Sequence, residues 1–285
     1  MNYRKITEKL NPIDDIFFRK MAESREFCEE ILREFLEDSK LEVLENHAQH
    51  SITNIERRSV VLDALCKLKD GTMVNVEVQN DDNVNHQKRV RYYSSILTTS
   101  LMKKGESFEN TPNICIVYVC NFDIFKAGRA RYKVKRVIEE CNIELDNGLR
   151  EIYICANIRD ESGLSKLMEV FTRDDCYSEN YPVTSEMKYR LKYSEEGEKM
   201  SEALKQLYEE GIEKGMEKGM EKGMEKGMEK GMEKGMKKGM EKGIKQGIIH
   251  ALISLVKDGI LSITDAAERA DMSVENFEKH MNGMR

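Results

Sequence analysis

The stretch from Ser59 to Asn80, SVVLDALCKLKDGTMVNVEVQN, restricts the possible folds of this chain more than any other. β-Branched and aliphatic residues alternate on both sides of Lys69-Asp70-Gly71, the pattern of two strands joined by a tight turn. In the second strand Val74, Val76 and Val78 fall on one face, and Asn75, Glu77 and Gln79 on the other. In the first strand the lone acid Asp63 interrupts the apolar run. The turn decides whether Asp63 and Glu77 share a face. A two-residue turn at Asp70-Gly71 sets Asp63 opposite Val78 and separates the carboxylates. A three-residue loop with a left-handed Gly71, a G1 bulge, sets Asp63 opposite Glu77. We expect the second register.

Two carboxylates facing each other across a hairpin repel. Both stay ionised only with a cation between them, and a hard divalent metal is the usual occupant. The alternative is a solvated sheet face, where Glu and Gln are ordinary and Asp63 is a surface acid.

The spacing D-x13-E-x-Q on a hairpin, followed by HQKRVRYY, resembles the PD-(D/E)XK nuclease superfamily. More narrowly it is similar to the recombination-promoting nuclease (Rpn) group, also described as PD-(D/E)XK nuclease family transposases. The resemblance extends to LNPIDDIFFRKM, RVRYYSSIL, ICIVYVCNFDIF, NGLREIYICAN and GLSKLMEVF, about two-thirds of the chain, as far as Tyr193. It implies an α/β fold, a restriction-endonuclease-like mixed sheet flanked by helices. It also implies Asp63 and Glu77 as ligands of Mg²⁺, with Mn²⁺ as substitute and the backbone carbonyl of Val78 as a third donor. An acid of the first helix can complete such a site, and Asp15 in DDIFFRK matches that position. Asp15 can equally be an acid stabilising a helix N-terminus after Asn11-Pro12. Gln79 stands where the superfamily usually has Lys, a departure that the Rpn group shares. A Gln amide is no base and carries no charge, so it can only orient a water or a phosphate oxygen.

Flanking segments read as follows. Residues 13–36 suggest two helical segments broken near Glu23-Ser24, with Phe27, Ile31 and Phe35 in an apolar stripe. Leu41 to Ile55 is poorly patterned and predicts a short strand. Val84 to Lys104 predicts a helix on which Arg89 lies one turn before Tyr93. Arg89, where the family has an Arg, is either a bidentate phosphate contact or the partner of a hairpin acid. Asn113 to Asn121 predicts a strand buried on both faces. Glu151 to Asn157 predicts another core strand, and Leu164 to Phe171 a short helix.

The net charge of −6 is not that of a nucleic-acid binder, so local patches must decide. KAGRARYKVKR, residues 126–136, contains no acid, and in a strand Arg129, Arg131, Lys133 and Lys135 share one face. That face is either a track for the DNA backbone or an edge strand blunted against aggregation. The seven cysteines lack metal-ligand spacing, and Cys66, Cys115, Cys120 and Cys155 read as buried thiols of a reducing cytosol. No run approaches membrane-spanning length, so a soluble cytoplasmic protein is expected.

From Gly211 to Gly247 a glycine recurs every fourth residue, mostly as GMEK. A four-residue period overshoots the helical turn by about 40° per step, so the Gly-Met stripe winds right-handedly round the axis. Each glycine costs about 1 kcal/mol relative to alanine, so a helix here needs a packing partner. We expect a long homo-oligomerising helix rather than a disordered linker. Residues 248–285 predict a helical hairpin with a stop at Asp258-Gly259 and Ser273 as the second N-cap. Its second helix opens Val274-Glu275-Asn276, without the Arg or Lys of a DNA-reading helix.

The expected organisation is a nuclease-like domain over 1–195, a Gly-x-x-x-Gly helix over 196–247 and a small helical cap over 248–285. The expected function is a divalent-metal-dependent DNA endonuclease linked to recombination or mobile-element movement. In it Asp63, Glu77, Gln79 and Arg89 act at the cutting site. The alternative is a catalytically inactive oligomeric scaffold or DNA-binding module on the same fold.

Overall fold

The computed structural model describes residues 3–52, 59–82 and 85–283. Ile55 and Val84, expected to end a strand-bearing segment and to begin a helix, lie outside them. The chain divides into two compact units, Met1–Leu207 and Tyr208–Arg285.

The first unit opens with three helices, α1 (Tyr3–Lys9), α2 (Asp15–Met21) and α3 (Arg25–Leu36). α2 and α3 break where expected, because the Ser24 hydroxyl accepts the Phe27 N–H and starts a new helix. Strands β1 (Val43–Ile52), β2 (Val60–Leu68) and β3 (Met73–Gln79) follow as an antiparallel meander. Helix α4 (His86–Leu101) then crosses to β4 (Ile114–Cys120), which is parallel to β3. After β4 come β5 (Arg131–Val134), the small β6 (Val137–Ile138) and β7 (Ile143–Glu144) pair, and β8 (Leu149–Cys155). The main sheet has the order β1-β2-β3-β4-β8-β5. Its centre is parallel and its flanks antiparallel, the expected mixed sheet. Helices α5 (Gly163–Thr172) and α6 (Pro182–Tyr193) complete the layers.

Both sheet faces are covered, so β4 is buried at every position. On one face Val74, Val76 and Val78 pack with Phe17, Phe18 and Met21 of α2 and with α3 and α5. There Phe171 sits among Phe18, Phe27 and Phe35 at centroid distances of 6.3, 6.4 and 6.2 Å. On the other face Ile116 and Tyr118 pack with Val90, Tyr93 and Leu97 of α4. Helix ends are closed by long-range partners. The Glu30 carboxylate accepts the Val183 and Thr184 N–H groups at the start of α6 (3.0 and 2.7 Å). Buried Lys188 donates to the Val170 and Arg173 carbonyls at the end of α5.

Helix α7 (Glu195–Lys257) runs through the glycine repeat, as expected. In the second unit Met216 to Met240 are 67–76% exposed, and the repeat glycines face open space. Gly259, at φ +72°, marks the stop after α7. Helices α8 (Ile263–Arg269) and α9 (Val274–Asn282) form the expected hairpin, with Ser273 capping α9. Phe277 packs there on Leu252, Ile253, Ala266 and Ala267. Among the described residues no helix is long and apolar enough to cross a membrane.

Candidate active site

The β2–β3 loop has three residues, with Gly71 at φ +87°, a conformation that L side chains rarely adopt. The Gly71 N–H donates to the Leu68 carbonyl, and the Leu68 N–H to that of Thr72. This G1 bulge fixes the register from Lys67–Met73 to Ala64–Val76. One step further, where Asp63 would meet Glu77, the backbone ladder ends and side chains replace it. The Asp63 N–H donates to Glu77 Oε1 at 3.3 Å, and the Val78 N–H to Asp63 Oδ2 at 3.0 Å. β2 nevertheless stays paired with β1 to Val60, and β3 with β4 to Gln79. The two strands therefore part company at the two acids. Helices from both sides of the sheet reach this opening. A cavity of about 220 Å³ is lined by Asp15 and Arg19 of α2, Asp63, Val78 and Gln79 of the hairpin, and Arg89 of α4, among others.

Asp63 is 2% exposed and Glu77 is fully buried, so the alternative of a solvated sheet face is not what the structure shows. Arg19 of α2 reaches Asp63 Oδ1 with Nη2 at 2.8 Å and Nε at 2.9 Å. The same Nε lies 2.6 Å from Asp15 Oδ1. Asn75 Nδ2 donates to Glu77 Oε1 at 3.0 Å. Glu77 Oε2, by contrast, is buried with no hydrogen-bond partner, and the nearest cation is Arg89 Nη2 at 3.8 Å. Burial, then the charge of Asp63, pushes the Glu77 carboxyl up to about 8. Asp15, whose side chain is 51% exposed, is raised to about 7, first by desolvation and then by the same neighbour.

Arg89 is fixed by three contacts. Nη1 donates to Gln79 Oε1 at 2.6 Å and Nε to the Tyr93 hydroxyl at 2.7 Å, while the guanidinium lies 5.2 Å from the Tyr93 ring centroid. Arg89 thus faces a hairpin acid, Glu77, at long range and lines the cavity. Tyr93, 7% exposed, belongs to the core and also anchors this side chain. Gln79 uses its amide to hold Arg89 and, through Nε2, the Asp81 carbonyl.

The candidate metal donors are all oxygens, and two of them, Glu77 Oε2 and Asn75 Oδ1, are buried without a hydrogen-bond partner. The cavity beside Glu77 is lined by the carboxylates of Asp14, Asp15, Asp63 and Asp81 and the guanidiniums of Arg19 and Arg89. That chemistry fits Mg²⁺ or Mn²⁺. Among the described residues no three His, Cys, Asp or Glu side chains group tightly enough to hold an ion by themselves. Asp63 and Glu77 would need the Val78 carbonyl or water to complete the shell. Asp15, the expected third acid, is engaged by Arg19 instead.

The basic segment lies elsewhere. β5 is a sheet edge, and only Arg131 and Lys133 of the four cations fall within it. Arg131 and Lys133 both pair with Glu37, and Arg131 also donates to the Glu34 carbonyl at 2.6 Å. Lys135 pairs with Glu144 at 2.6 Å. None of Arg129, Arg131, Lys133 and Lys135 lines the carboxylate cavity. Glu37, the acid that pairs with both cations of this strand, caps the C-terminus of α3, a contact that the sequence pattern did not reveal.

Arg19 and Asn75, which hydrogen-bond to the two central acids, were given no site role in the sequence reading. Arg19 had a local signal, its i,i+4 spacing from Asp15. Asn75 had another, its place on the Glu77 face two residues earlier.

A family model described as PD-(D/E)XK nuclease family transposase matches residues 12–161, which contain every residue of the cavity. No curated protein and no solved structure matches the chain.

Proposed function

We propose that this chain, which belongs to the PD-(D/E)XK nuclease family transposases and has their restriction-endonuclease-like fold, is a divalent-metal-dependent DNA endonuclease. The observation that carries the reading is the unpartnered, buried Glu77 Oε2 beside Asp63 at the point where the sheet opens. Asp63, Glu77 and the Val78 carbonyl would hold Mg²⁺, with Mn²⁺ as substitute. When bound, such an ion acidifies water and neutralises charge developing on the scissile phosphate.

The remaining work falls to side chains. Arg89, held by Gln79 and Tyr93, presents a pre-oriented guanidinium to a phosphate oxygen entering the cavity. Gln79 acts through Arg89 and removes no proton. Arg131, Lys133 and Lys135 contact the DNA backbone only by exchanging a carboxylate for a phosphate, a contact that weakens with salt. Arg129 makes no ion pair among the described residues and needs no such exchange. Cutting, not strand transfer, is the reaction, in service of recombination or mobile-element movement. The exposed Met stripe of α7 meets a second copy of this chain.

A second reading, a non-catalytic oligomeric module, is favoured by one observation. The position usual for Lys holds Gln79, and its amide is already spent on Arg89 and Asp81. Plasmid nicking with Mg²⁺ or Mn²⁺ separates the two. The parent should nick and Asp63→Ala should not; equal nicking by both removes the proposed site, and nicking by neither favours the module.

A further inference from the structure

Arg19 is the feature of the cavity that the proposed chemistry leaves unused. Its guanidinium touches Asp63 Oδ1 with two nitrogens and Asp15 Oδ1 with one. Asp63 Oδ2 is already taken by the Val78 N–H. Asp63 thus has no oxygen free of a donor, whereas Glu77 Oε2 has no donor at all. A guanidinium stays charged at any pH relevant here. A divalent ion shared by Asp63 and Glu77 would sit within a few ångströms of that charge, where like charges repel strongly in a partly dry site. Arg19 is 24% exposed in its side chain and starts from the short helix α2, so it has a way out toward solvent.

We infer that Arg19 is an internal counter-ion that neutralises Asp15 and Asp63 in the ion-free protein and is displaced from Asp63 when a divalent cation binds. The inference rests on the metal reading of the site and adds its regulation: the protein trades one cation for another. Two consequences follow. Without metal, Arg19 offsets part of the repulsion between Asp15 and Asp63 through its contacts with both. With metal, the Arg19–Asp63 contact is lost, which lowers the apparent affinity. Arg19 is a positioning residue in this scheme.

Two readouts other than activity test it, on the full chain. Mn²⁺ uptake is followed by the electron paramagnetic resonance of the free ion, and melting temperature is measured in EDTA. Arg19→Met should bind Mn²⁺ about ten-fold more tightly than the parent. It should also melt at a lower temperature in EDTA and regain the difference with Mn²⁺. Arg19→Lys, which keeps the charge, should stay near the parent in both. Arg19→Met affinity equal to or weaker than the parent's, or an unchanged melting temperature in EDTA, overturns the exchange. Asp63→Asn distinguishes the two levels. If the parent binds Mn²⁺ through Asp63 but Arg19→Met gains nothing, only the exchange fails. If neither protein takes up Mn²⁺, the metal reading fails and the exchange with it.

Should Arg19→Met not fold, the parent still answers. The Arg19 Nε–H resonance, assigned by its absence in Arg19→Lys, should move and lose exchange protection on Mg²⁺ titration. A resonance unmoved at saturating Mg²⁺ overturns the inference.

Discussion

A buried carboxyl that keeps its proton into the neutral range leaves a mark on stability. Glu77 rises from an ordinary value of 4.5 to about 8, so the folded chain holds this proton more tightly than the unfolded one. The resulting stabilisation is complete below about 4.5 and is lost as pH climbs through about 8. In EDTA the melting temperature should therefore fall between those limits, and Glu77→Gln, which stays neutral, should flatten the slope. Melting curves across that range check both. The same proton must leave when a cation takes its place, so metal uptake near neutral pH should release protons, measurable in a weakly buffered titration. Arg89 makes a separate prediction. Arg89→Lys keeps a charge but loses the fork that meets Gln79 and Tyr93 together. Nicking should drop about 10²-fold, as expected for a misplaced phosphate contact, with Mn²⁺ uptake little changed.

Elements succeed or fail here by how local their determinants are. The hairpin register follows from one glycine: Gly71 at φ +87° has room for a side chain but not the backbone for one. Gly71→Ala should cost about 1 kcal/mol in denaturant unfolding. The aromatic cluster around Phe171 joins α2, α3 and α5, and Phe171→Ala should cost about 3–5 kcal/mol in the same measurement. The hairpin, the α2–α3 break, β4 and α9 were legible because turn, cap and apolar pattern lie within a few residues of one another. Helix α6 was not, since its buried positions include Thr184, Ser185, Lys188 and Lys192, which no hydrophobic pattern records. β1 proved ten residues long, against a short strand expected, because most of its side chains remain at least partly exposed. In the site, Asp63 and Glu77 were readable as a facing pair. Arg19 was not, because its second partner lies 44 residues away and only the folded sheet brings it near.

At the scale of the whole molecule, two compact units divide the chain near Leu207. Removing residues 208–285 should leave a folded first unit that still nicks DNA, while the particle shrinks to a monomer in sedimentation. An unchanged oligomer would move assembly out of the tail. Replacing the repeat glycines by alanine should stabilise helix α7, by about 1 kcal/mol of propensity at each site, yet weaken self-association, as sedimentation would show. The four-residue period has a mechanical corollary within the second unit. Each GMEK copy adds about 6 Å of rise and about 40° of rotation, so losing or gaining one copy works like a turn on a thread. Variants differing by whole copies would carry the α8–α9 hairpin to a new azimuth along α7 without altering a single contact inside it.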